Sequence, residues 1–426
     1  MKKWLLVAFL IAAVVGGLAL TGAVPLGAAQ NSSEVAGSIS SDATWTKANS
    51  PYVLTGPLFV DAQVSLVIEP GATVNFNSHI IQVNGVLWAR GTSADPIHFN
   101  GGKTLFTVSS GGWDEQTETG SIIEYVVFTS SKIEIQDASP KISHNAFSRG
   151  SILVAGSNPH ISGGSPVISN NNIVGITGIG SGITITGNNN ATVSGNVIAG
   201  WGNGVVAGNL FYATSSFPLI ERNLITNNSC AVKIDLLMRD WVGNNFPVIR
   251  ENTISKNSQG ICVVCNWQRD GNPDEFLIPT VISNNNIQDN GGSNLIGACI
   301  VDAIYNWWGT THASSIAQTV SANYRFTPFL TAANARAPSQ QYNPNPTLTA
   351  ALALSGTPTP AQTSAPTPSQ PSNLFSPSQS VIPQQDGGQP TQKGGFPVGT
   401  VVAVGVAVAA VVSVAVMLRK LFPKKL

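Results

Sequence analysis

The sequence predicts an all-β solenoid, a stack of short-stranded coils in parallel register. Three observations carry that prediction. FPLIERNLI, Phe217 to Ile225, shares the frame Phe-Pro-x-Ile-x-x-Asn-x-Ile with FPVIRENTI, Phe246 to Ile254. Looser copies place asparagines at Asn145, Asn171, Asn196, Asn223, Asn252, Asn285 and Asn306, spaced 26, 25, 27, 29, 33 and 21 residues apart. A period in the twenties, carried by short β-branched runs without helical spacing, marks a repeat whose single coil cannot cover its own apolar face. The third observation is a charge switch, Glu221-Arg222 in one twin and Arg250-Glu251 in the other. With parallel stacking, Glu221 lies over Arg250 and Arg222 over Glu251, so two repulsions become two attractions.

Taken from the N-terminus, residues 1–29 (MKKWLLVAFLIAAVVGGLALTGAVPLGAA) join a basic start, an apolar run and small residues, the pattern of a secretory signal. Cleavage after Ala29 and retention as an uncleaved anchor both fit. Residues 30–330 are assigned to the solenoid. Within a coil, Ile249 and Ile254 are expected to point inward, Pro247 to lead into a strand and Asn252 to make the bend in the left-handed conformation that Asn tolerates. A column of amides can hydrogen-bond from coil to coil where a column of carboxylates would repel, so the seven asparagines are expected to form a structural ladder.

Residues 331–397, rich in Pro, Ser, Thr and Gln, hold too little apolar surface to fold and are expected to be a disordered stalk. Residues 398–418 are uncharged, and as a helix would be about 31 Å long, enough for one membrane crossing. The basic tail 419–426, with Arg419, Lys420, Lys424 and Lys425, then lies in the cytoplasm and the solenoid on the extracellular face. A formal net charge of zero with 10% charged residues gives no basic face for nucleic acid.

Residues 42–330 resemble the right-handed parallel β-helix repeat proteins of the pectin-lyase-like superfamily. SPYVLTGPLFVDAQVSLVIEPGATVNF looks like the opening coils of surface versions of that fold, and YNWWGT with RFTPFL looks like the closing segment. The resemblance implies a right-handed winding of about nine to ten coils. It implies no single activity, because the superfamily holds lyases, hydrolases, adhesins and scaffolds.

The late loops KIDLLMRDWVGNNF and CNWQRDGNPDEFLIP concentrate the candidate chemistry. Arg239-Asp240 and Arg269-Asp270 fall at comparable places after their coil asparagines, accompanied by Trp241, Trp267 and, one coil earlier, Tyr212; Asp274 and Glu275 add carboxylates. Rings for the apolar face of a sugar and charges for its hydroxyls or carboxylates are what a polysaccharide-binding edge uses. Three readings stay open here. The loops bind a polysaccharide or a surface-layer protein; or Asp240 and Asp270 with Arg239 and Arg269 act as a glycosidase or lyase, with Ca²⁺ in the lyase case; or the ion pairs merely close the loops.

No metal site is expected. His79, His98, His144, His160 and His312 are scattered, and Cys262-x-x-Cys265 lacks a second pair. With Cys230 and Cys299, the four cysteines point to disulfides in one of three pairings. Asn31, Asn190 and Asn227 begin glycosylation sequons.

Overall fold

The structure is a computed structural model and describes residues 32–156, 163–176, 178–187, 189–208, 217–236, 247–265, 277–278, 280–297, 300–322 and 324–339. The strand ladders are parallel throughout and fall on three faces. On the first face ten strands stack in chain order, from Ala43–Trp45 and Ser65–Ile68 through Leu219–Glu221 and Val248–Arg250 to Val281–Ser283. The second face stacks strands such as Ala146–Ser148, Asn172–Val174, Val197–Ala199, Leu224–Thr226 and Thr253–Ser255, and the third Ser181–Thr186, Asn203–Gly208, Cys230–Leu236 and Gln259–Cys265. The long strand Tyr52–Val60 serves both of these faces. The expected parallel β-helix solenoid is therefore present, and its first face shows ten coils among the described residues.

Alternation along each short strand puts one apolar residue per coil in the interior. On the first face this file includes Ile142, Ile168, Val193, Ile220, Ile249 and Ile282, all essentially inaccessible. On the second face it runs Phe99, Phe128, Phe147 and then Ile173, Ile198, Ile225, Ile254 and Ile287. Phe76, Phe99, Phe128 and Phe147 touch in series at ring distances of 5.3, 5.4 and 4.3 Å. Each coil thus lends its neighbours the apolar cover it lacks alone.

The asparagine ladder is continuous. Asn145 Nδ2 donates to Asn171 Oδ1 at 2.9 Å, and the link repeats to Asn196, Asn223, Asn252, Asn285 and Asn306 at 2.9 to 3.0 Å. From Asn171 on, each Oδ1 also accepts the backbone N–H of the preceding asparagine, Asn145 Oδ1 accepts that of Val126, and each Nδ2 also donates to a carbonyl, as Asn223 does to Val193 O at 2.9 Å. Both ends of every amide are satisfied in a buried corner, where an unpaired group would be costly.

One expectation needs correcting. The left-handed residue at the bend is the one before the ladder asparagine: His144, Asn170, Arg222, Glu251, Asn284 and Tyr305 have φ between 53° and 59°, and Gly195 takes the place at 66°. The chain reverses there, and the next residue's amide is thereby aimed along the stack. The same device recurs at the second corner, between the second and third faces. Asn227, Lys256 and Asp289 are left-handed, and Asn228, Asn257 and Asn290 form a second, shorter ladder with links of 3.0 Å.

The charge switch acts as expected. Glu221 is registered on Arg250. Arg250 Nη2 lies 2.8 Å from Glu221 Oε2, and Arg222 Nε donates to Glu251 Oε2 at 2.8 Å.

At the top of the stack, Trp308, Ile316, Val320 and Tyr324 close the core, and one turn of helix, Ala313–Ala317, supplies Ile316. Residues 331–338, assigned above to the stalk, turn back onto the solenoid. Asn334 and Asn286 exchange hydrogen bonds of 2.7 and 3.1 Å, Arg336 reaches Glu251 at 3.3 Å, and Thr253 Oγ1 donates to Pro338 O. The later stalk, the expected span 398–418, the tail and the expected signal lie outside the described residues. No helix of the described residues is long and apolar enough to cross a membrane.

Candidate functional site

Of the candidate loop residues, Tyr212, Arg239, Asp240, Trp241, Trp267, Arg269, Asp270, Asp274 and Glu275 all lie outside the described residues, as does Asn31. The strands that lead into those loops are described. Asn203–Gly208, Cys230–Leu236 and Gln259–Cys265 lie side by side in register on the third face. At their starting end is a groove.

This groove, of about 620 Å³, is lined by Gly202, Asn203, Ser229, Cys230, Ser258, Gln259, Gly291 and Gly292. The lining has a simple origin. Four successive coils each contribute the two residues that follow the second corner, so the groove runs along the stack from one coil to the next. Small residues at these places keep it open, while the ladder Asn228, Asn257, Asn290 lies directly behind it and fixes the corner backbone. Ser229 and Ser258 are exposed, and Asn203 and Gln259 are half-buried. The lining contains no ionisable side chain, only hydroxyls, amides, backbone and one half of a disulfide.

That disulfide joins Cys230 to Cys262 across adjacent coils, with Cα atoms 6.4 Å apart. It selects one partner pair among the cysteines; the side chain of Cys265 and all of Cys299 lie outside the described residues. On the outer side of the same strands, Lys233 and Asp235 pair at 2.8 Å. Asn190 and Asn227, the two described sequon asparagines, are both exposed, and Asn227 stands beside the groove residue Ser229.

A second concentration of aromatic and charged groups sits on the outer side of the first face. Trp88 and Trp113 lie 5.9 Å apart; Arg90 is 5.3 Å from the Trp88 ring centre and Lys141 is 5.2 Å from that of Trp113. Trp113 Nε1 donates to Glu115, which also accepts from Lys141. Burial pushes the Glu124 carboxyl up, but His144, Arg90 and Ser143 outweigh it and hold its pKa at about 2. His144 Nδ1 approaches to 3.3 Å without hydrogen-bond alignment, whereas Arg90 Nε donates squarely at 2.9 Å. Hydrogen bonds from Lys141 and Trp113 lower the pKa of Glu115, and backbone N–H groups of Thr117 and Gln116 lower that of Asp114. The cations lie over the rings and the carboxylates are held ionised, so this cluster clamps the loop 107–121 onto the first face. It offers neither an open stacking platform nor a proton donor.

Among the described residues no group of three or more His, Cys, Asp or Glu gathers to hold a metal, so the Ca²⁺ expected in the lyase reading has no donor set there.

Sequence reasoning placed the candidate site on loops that lie outside the described residues, and did not single out the groove. The available signal was the second asparagine five residues after the first, in NLITNN, NTISKN and NNIQDN, each followed by small or polar residues. No family model matches this chain, and no curated protein or solved structure matches it significantly.

Proposed function

We propose that this chain is a cell-surface recognition module in which the solenoid presents the groove beside Cys230 to an uncharged, hydroxyl-rich ligand, a neutral polysaccharide or glycan. The observation that carries the reading is the lining. Hydroxyls and amides act as both donors and acceptors and suit sugar hydroxyls, whereas a uronate or phosphate would call for the cations this groove lacks. The regular advance of the groove from coil to coil suits a ligand that repeats along its length. A rigid wall of parallel strands keeps the contacts in place without an ordering cost on binding.

The cellular setting belongs to the same proposal: export by the N-terminal segment, a stalk, and a single membrane crossing at 398–418 with the solenoid outside. The Cys230–Cys262 disulfide supports it, since such bonds persist in oxidising compartments. A right-handed winding and kinship with the pectin-lyase-like superfamily are also proposed. Parallel crossovers are right-handed in about 98% of cases, which favours that hand. Binding is preferred to cleavage because the groove lining carries no carboxyl group, while glycoside hydrolysis uses a pair of them.

The test is a glycan array with the full chain in detergent, followed by titration of the best neutral oligosaccharide and a reducing-end assay. Gly291 is the position to block: a Cβ there meets nothing nearer than 3.7 Å, so Gly291→Phe fills the groove without displacing backbone. Binding abolished by Gly291→Phe and weakened by Gln259→Ala, without new reducing ends, is the expected result. Binding of acidic glycans alone, or binding indifferent to both substitutions, sinks the proposal.

A further inference from the structure

Three of the corners that feed the groove share one length, and the corner just below them is longer. From Ala199 to Asn203, from Thr226 to Cys230 and from Ser255 to Gln259 the chain takes four steps between registered places on the second and third faces. In the coil below, the same passage from Val174 to Ser181 takes seven. An insertion in one repeat of a stack emerges where its neighbours turn, often on the side that binds.

The longer corner brings two isoleucines into water. Ile176 is 58% and Ile179 73% exposed, the highest values for large apolar side chains among the described residues. The backbone that carries them is held to the next coil. Gly178 N–H donates to Gly200 O at 3.2 Å, and Asn203 N–H donates to Gly180 O at 2.8 Å. Gly175 sits so close to the Trp201 ring that a Cβ there would lie 2.7 Å from it, and Gly178 and Gly180 turn with φ of 63° and 73°. The isoleucines are therefore displayed on a fixed corner.

That corner adjoins the groove. The lining residue Asn203 is registered on Ser181, and its Nδ2 reaches Ser181 Oγ at 3.5 Å. Gly202, also in the lining, lies so near the longer corner that a Cβ on it would come within 3.0 Å of the carbonyl oxygens of both Gly178 and Gly180. The polar floor thus runs down the stack and ends beside the corner that carries Ile176 and Ile179. Two side chains are far too small a patch for a stable protein partner, which buries about 1,200–2,000 Å². They match a short apolar group attached to whatever the groove holds.

We propose that the ligand is amphiphilic: a neutral saccharide chain in the groove, carrying at its lower end a short alkyl or acyl group that seats on Ile176 and Ile179. This rests on the neutral-glycan reading of the groove and adds an apolar subsite to it.

Titration calorimetry of the full chain in lipid nanodiscs tests it, with empty nanodiscs as the blank for partitioning. The probes are the neutral tetrasaccharide that binds best on the glycan array, its hexyl glycoside, and the same tetrasaccharide with one hexanoyl ester on a terminal ring hydroxyl. Each buried methylene raises affinity about fourfold, so two of them exceed about tenfold. At least one substituted probe should therefore bind about tenfold or more tightly than the free sugar. A gain with the hexyl glycoside identifies a glycolipid as the source, and a gain with the ester an acylated polysaccharide. Ile176→Ser/Ile179→Ser should erase the gain, and Gly291→Phe should abolish binding of all three probes. Equal affinities for the three overturn the proposal and leave the groove reading standing. A gain that survives the double isoleucine variant, or that persists in Gly291→Phe, overturns it as well. If no neutral glycan binds on the array, both readings fall together.

Discussion

Replacing Asn223 by Asp separates the two halves of the ladder's chemistry. The carboxylate keeps the accepting half, because Asn196 N and Nδ2 still find an oxygen at 2.9 and 3.0 Å. It loses the donating half: Nδ2 now gives hydrogen bonds to Val193 O at 2.9 Å and Asn252 Oδ1 at 3.0 Å, and an anionic oxygen would face both. Two lost bonds in a 0% exposed corner cost about 1–3 kcal/mol each, so the variant should lose about 2–6 kcal/mol at pH 7. Asn223→Ala loses both halves without introducing charge and serves as the control. The sign of the pH response follows from burial. The new carboxyl is stable in the fold only when protonated and donating, so its folded pKa rises above the unfolded value of about 3.9. Stability relative to wild type is then recovered below that unfolded value and lost as pH rises through the folded one. Urea melts of the full chain, followed by far-UV circular dichroism at pH 3.5 and pH 7, should show a crossover: Asp above Ala in acid, and level with or below it at neutrality. An Asp variant as stable as wild type at pH 7, or one whose rank against Ala ignores pH, would refute the reasoning.

Glu124, held at a pKa of about 2, is a depressed carboxylate, so its contribution is present above the unfolded range near 4.5 and lost as pH falls toward 2. Acid melts of Glu124→Gln should lack that component. Reversing one charge, Glu221→Arg, sets like charges against Arg250 and should destabilise by about 0.2–1 kcal/mol, with Glu221→Arg/Arg250→Glu restoring most of it in a double-mutant cycle. The two arginines are nearly half exposed, which argues for the lower end of that range. Cys230→Ser/Cys262→Ser opens a loop of sequence separation 32 and should cost about 3–4 kcal/mol, read as a lower urea midpoint matched by the reduced wild type.

The solenoid was legible because its determinants recur. A buried amide column, a β-branched file and a compensated charge pair each repeat at one period, and each has one physical cause. The bend was misassigned by one residue because Asn is the usual left-handed residue, yet here Arg222 and Glu251 take that conformation so that the asparagine can face the stack. The second ladder escaped notice because the earlier coils break it: five residues after Asn145, Asn171 and Asn196 come Gly150, Ile176 and Trp201. Trp201 still joins it through its backbone N–H to Asn228 Oδ1. The groove could not be read at all, since its lining of Gly, Ser, Asn and Gln has the composition of any turn, and only stacking makes those residues contiguous. The return of residues 331–338 onto the solenoid was hidden for a similar reason. TAANARAP reads as the start of a polar linker until Asn286, Glu251 and Thr253 are seen to receive it.

The interior file that changes from Phe99, Phe128 and Phe147 to Ile173 and its successors divides the molecule into two gauges. Coils of the isoleucine gauge have matching bores, so duplicating or deleting one of them in register leaves its neighbours in unchanged surroundings. A coil carried across the junction leaves a void the size of a ring or forces one into a space cut for a butyl group, at a cost of about 3–5 kcal/mol for the missing aromatic. Growth or shortening by whole turns is thus open within either gauge and closed across the junction between them.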